Sequence, residues 1–89
     1  MPAYNFTRAE AEALLGKRFE TLVQWDGVER GTRGEVMWTS GRTVWALPTP
    51  YEDYEVVIAW DPGTFPLELP RRSRFDKFEV QTYLRAAAR

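Results

Sequence analysis

From Arg18 to Trp60 the chain runs in short stretches in which apolar and polar residues alternate, and each stretch ends on glycine, proline or aspartate. An alternation of period two is the signature of a strand buried on one face, and it cannot wrap into a helix with a single apolar stripe. In "RFETLVQW", Phe19, Val23 and Trp25 fall on one face and Glu20 and Gln24 on the other. "GEVMWT" puts Val36 and Trp38 on a face opposed by Glu35, and Ser40-Gly41-Arg42 reads as a tight hairpin into a further strand, "TVWAL". Pro48 and Pro50 exclude a central strand through "PTPYED". "YEVVIAW" then aligns Tyr54, Val56, Ile58 and Trp60, and Asp61-Pro62-Gly63 closes that strand with turn residues. "PLEL", bracketed by Pro66 and Pro70, is read as a short fifth strand.

Two helices flank these strands. Thr7 and Glu10 have the spacing of a capping box, with Phe6 and Ala11 placed as a hydrophobic staple, and Gly16 sits where a left-handed residue ends the helix. Near the C-terminus Asp76 and Glu79 repeat the box, and Phe75 and Val80 repeat the staple. That second helix is expected over about 77–88, with Phe78, Tyr83, Leu84 and Ala87 in one stripe against the sheet. The expectation is a mainly β single domain over 1–89. A short N-terminal helix occupies 1–16, an antiparallel small barrel of about five strands 17–70, and a basic connector with the C-terminal helix 71–89.

Eighty-nine residues bury only about 60 to 65% of the surface of the unfolded chain. Small secreted folds of this size are usually reinforced by disulfides, and there is no cysteine, which points to a reducing, cytoplasmic setting. No run of about 18 apolar residues is present, so no membrane partner is expected. The net charge of −1 argues against a general polyanion binder, yet charge is uneven. Residues 1–70 hold six basic and eleven acidic side chains, whereas 71–89 hold six basic and two acidic. The C-terminal segment therefore carries a local positive field, and with arginine outnumbering lysine ten to two it is built from groups suited to bidentate contacts.

The stretch "WDGVERGTRGEVMW", Trp25 to Trp38, contains Gly27, Gly31 and Gly34. A phosphate loop would need a Gly-Lys-Ser/Thr ending, and a dinucleotide loop would need glycine where Glu29 stands and a helix where a strand follows. The stretch is read as a strand-to-strand joint whose glycines supply positive φ. Within it "GTRGEV", Gly31 to Val36, resembles the Gly-x-x-Gly-x-Val signature of SH3-like small barrels, KOW-type modules among them. With the strand before it, the hairpin after it and the closing "RFDKFEVQTYL", the chain is similar to small bacterial proteins in which such a barrel is followed by a short helix. The resemblance spans about residues 17–84 and implies a closed barrel that binds a partner through an aromatic groove or an edge strand.

Without histidine or cysteine, the common nucleophile-base pairs and transition-metal ligands are missing, so no catalytic residue, metal or cofactor is assigned. Glu52, Asp53 and Glu55 read as a solvated, proline-flanked acidic loop with no apolar shell to raise a carboxylate pKa. Neither Lys17 nor Lys77 has a desolvated setting. Trp25, Trp38 and Trp60 belong to the core by parity. Trp45 alternates against Val44 and Ala46, so parity leaves its face open, and Tyr51 can pack on Pro50 with its hydroxyl in water. Trp45 and Tyr51 are the candidates for contact with another protein, and self-association through an edge strand is a related outcome. Arg33, Arg71, Arg72 and Arg74 are the candidates for anion or nucleic-acid contact, the alternative function.

Overall fold

The computed structural model describes residues 5–25, 27–61 and 71–87. Helix α1 (Arg8–Ala13) leads into strands β1 (Arg18–Thr21), β2 (Arg33–Val44), β3 (Tyr51–Trp60) and β4 (Arg72–Phe75), followed by α2 (Lys77–Tyr83) and β5 (Leu84–Ala86). All pairings are antiparallel, and the strands form one sheet in the order β4-β3-β2-β1-β5. Among the described residues the sheet is open: β4 and β5 are its two edges and do not pair with each other. No helix among these residues is long and apolar enough to cross a membrane.

The local signals at the helix ends form as their residues dictate. Thr7 Oγ1 accepts from the Glu10 amide while the Glu10 carboxylate accepts from the Thr7 amide, and Asp76 and Glu79 do the same for α2. Phe6, Ala11, Phe75 and Val80 are all buried, so both staples are part of the core. Gly16 takes φ 83°, and its amide donates to the Val36 carbonyl, which ties the end of α1 to β2.

Tyr54, Val56, Ile58 and Trp60 share the inner face of β3, the last three fully buried. The Trp60 indole donates to Ser73 Oγ at 2.8 Å, satisfying both polar groups inside the core. Trp25 is half-buried and packs on Phe75 and Tyr83 with ring centroids 5.2 and 5.1 Å apart, closing the core beneath α2. The joint between β1 and β2 is held by two buried threonines: Thr21 Oγ1 and Thr32 Oγ1 both donate to the Glu29 carbonyl. Gly27 and Gly31 supply the positive φ the joint needs. Gly34 has a different role, since a β-carbon there would lie 2.7 Å from the Trp60 ring.

Several expectations are corrected. The barrel expected over 17–70 is an open sheet among the described residues, and the strand expected through "RFETLVQW" ends at Thr21, leaving Leu22 and Val23 exposed. Ser40-Gly41-Arg42 is no turn; "GEVMWT" and "TVWAL" form one continuous strand, β2, paired with β3 from Gly34↔Trp60 to Val44↔Tyr51. Trp38 is 60% exposed, because a β-bulge at Met37 inserts one residue between the pairs Val36↔Ile58 and Trp38↔Val57 and moves Trp38 to the outer face. The segment read as a basic connector carries β4, and the second helix stops at Tyr83, where the chain turns extended to pair β5 with β1. Phe78, expected in the apolar stripe of that helix, is 44% exposed. The turn beyond Asp61 and the strand expected in "PLEL" fall on residues 62–70, outside the described residues.

Candidate functional site

The long β2–β3 hairpin outruns its neighbours. β1 pairs with β2 only over Arg33–Glu35, and β4 with β3 only over Val56–Ala59. Among the described residues, the far half of the hairpin is braced by the segment before and at the start of α1: Phe6 bridges to Tyr54, their amides and carbonyls exchanging bonds of 3.2 and 3.0 Å, and the Arg8 amide donates to Glu52. Residues 45–50 connect the strands at its end, with a cis Leu47–Pro48 peptide bond. The apolar side chains of this connection enter no core among the described residues: Trp45 is 81% exposed and Leu47 96%. Tyr51, the first residue of β3, is 40% exposed and lines an open groove with Leu47, Pro48 and Pro50. The two residues singled out as partner contacts, Trp45 and Tyr51, thus lie at one end of one hairpin. Leu47, which sequence reasoning passed over, joins them; its position between a tryptophan and two prolines, outside any alternating run, was the available signal.

The arginine candidates do not converge. Arg33 pairs with Glu20 at 3.5 Å, and Glu20 also receives Arg85 at 3.2 Å. The Arg71 guanidinium lies against Gly27. Arg74 pairs with Glu55 at 3.6 Å. Arg72 and Arg74 do share the outer face of β4, where they line a shallow depression with Val57 and the exposed Trp38.

The acidic residues Glu52, Asp53 and Glu55 lie on β3 and not in a loop. Glu52 accepts from the Arg8 amide at 3.2 Å, and Asp53 stands opposite Arg42 in the ladder. Burial raises the Glu55 carboxyl above the ordinary glutamate range, an effect that Arg74 opposes, so the expectation of an unperturbed solvated cluster fails for this residue. Lys77 is engaged by Glu10 at 3.0 Å. Among the described residues no group of three or more acidic side chains is placed to hold a metal ion.

No protein-family model, curated protein or solved structure matches this chain.

Proposed function

We propose that the chain is a non-enzymatic interaction module, built on an SH3-like small-barrel plan, that seats the end of its β2–β3 hairpin on another protein. The observation that carries this reading is the exposure of Trp45 and Leu47 beside Tyr51 at the end of a protruding hairpin. Tryptophan and tyrosine are the side chains that most often dominate binding energy when a partner desolvates them, and clustered exposed apolar residues on so small a domain mark a contact surface. The barrel plan is supported by β5 returning beside β1 and by Phe75 of β4 and Leu84 of β5 belonging to one core. The absence of histidine and cysteine, and the engagement of Glu52 and Glu55 by backbone and arginine, support a role without catalysis.

A second reading, single-stranded nucleic acid on the outer face, has one observation in its favour: the exposed Trp38 shares a shallow depression with Arg72 and Arg74 and offers a ring on which a base can stack. Against it, Arg33 and Arg74 are both paired with glutamates. Affinity capture with the wild type, a Trp45→Ser/Leu47→Ser double variant and a Trp38→Ser variant separates the two. Loss of captured protein in the double variant alone supports the hairpin end; a salt-dependent loss of oligonucleotide binding in the Trp38 variant supports the outer face instead.

A further inference from the structure

We infer that two copies of this chain pair through the free edge of β2, antiparallel and symmetric about Gly41. β2 loses its neighbour after Val36, whose amide and carbonyl are the last to be bonded on that side, to Lys17 and Gly16. Among the described residues, the strand from Trp38 to Val44 is paired with β3 only. The direction of its backbone groups follows from Tyr54, which exchanges both of its hydrogen bonds with Phe6 on the side of β3 away from β2. Gly41, opposite Tyr54, is therefore in a non-hydrogen-bonded pair, and in an antiparallel ladder such a residue turns its own N–H and C=O to the opposite edge. Thr39 and Thr43, two residues to either side, do the same. Among the described residues this leaves a row of backbone donors and acceptors with no strand paired to it, the situation that invites pairing with another strand.

The sequence along this edge matches itself read backwards. In "MWTSGRTVW", residues 37 to 45, an antiparallel pairing centred on Gly41 sets Thr39 against Thr43, Trp38 against Val44 and Ser40 against Arg42 of the second copy. Threonine pairs and aromatic to β-branched pairs are the favourable cross-strand combinations, and the one charged residue of the segment never meets its own kind. A two-fold contact requires this self-complementarity, and a foreign strand would have no reason to show it. The pairing covers Trp38, left 60% exposed by the bulge, with a valine. Its hydrogen bonds run through 39–43 and leave Leu47 and Tyr51 outside the pairing, while Trp45 stands against Met37 of the second copy.

Sedimentation equilibrium over a wide concentration range tests the pairing, with two variants that spare the monomer. Thr43→Pro removes an amide that makes no bond to β3. Ser40→Lys places a cation opposite Glu55 within the chain but opposite Arg42 across the pair. The wild type should pass with concentration from 10.4 kDa to twice that mass, while both variants, folded by circular dichroism, remain at 10.4 kDa. The amides of Thr39, Gly41 and Thr43 should gain hydrogen-exchange protection only where the heavier species forms. A wild type that stays at 10.4 kDa throughout, or a dimer that survives both substitutions, overturns the inference.

Discussion

Gly41 lies so close across the ladder from Tyr54 that a β-carbon at position 41 would sit 2.6 Å from both the Tyr54 Cα and the root of its ring. The contact explains a glycine in the middle of a long strand, where its conformational freedom is a liability. Because the obstruction includes backbone, no rotamer change relieves it. Gly41→Ala is expected to destabilise by about 1 to 3 kcal/mol, the range for forcing extra volume into a packed site. Urea unfolding checks this; a midpoint equal to that of the wild type would show that the hairpin is looser there than described.

The bulge at Met37 divides the tryptophans. Trp60 is fully buried, with its indole bonded to Ser73 and its ring edge-on to Phe75, so Trp60→Ala should cost about 3 to 5 kcal/mol. Trp38 is on the other face, and Trp38→Ala should cost only about 1 kcal/mol in the monomer. Denaturation of both variants at low protein concentration gives the comparison, and a reversed order would place Trp38 in the core.

These two cases show what the sequence does and does not disclose. The capping boxes at Thr7 and Asp76 were legible because all their partners lie within three residues, and the Tyr54–Trp60 face was legible because β3 keeps strict alternation. Trp38 was not, since a single inserted residue reverses every parity beyond it and nothing in "EVMWT" announces the insertion. Gly41 was not, since its role is set by a residue on another strand, and in isolation Ser-Gly-Arg looks like a turn. At the candidate site, Trp45 and Tyr51 were singled out because proline and ambiguous parity set them apart. The pairing of Arg33 and Arg74 with Glu20 and Glu55 depends on strand neighbours that no local pattern names.

The α2 cap is the most direct of the local tests. Asp76 accepts from the Glu79 amide at 2.8 Å, and its own amide is bonded to the Glu79 carboxylate. Asp76→Ala should lower stability by about 1 kcal/mol with an unchanged denaturant slope. Because α2 joins the two edges of the sheet, a variant with an altered slope would instead indicate that β5 detaches when the cap is lost.

Two glutamates tilt the pH dependence of stability in opposite senses. Glu10, bonded to the Thr7 amide and Lys77, is held below the ordinary value of 4.5, so it contributes stability above that value which is lost as the pH falls through its folded pKa. Glu55, raised chiefly by burial, binds its proton more tightly when folded, so its ionisation weakens the fold as the pH rises above 4.5. Glu55→Gln should therefore gain on the wild type in urea midpoint between about pH 4 and about pH 7. Parallel midpoints across that interval would mean that Arg74 offsets the burial in full.

The claim that the hairpin end is a contact for another protein is tested most directly by a photo-activatable amino acid placed at Leu47, with a second placed at Leu22 on the far joint as the control. Irradiation in cells is expected to yield one discrete adduct from position 47, of a mass other than twice 10.4 kDa, and none of that mass from position 22. Adducts of the same species from both positions, or from position 47 only a product of twice the chain mass, would contradict the account.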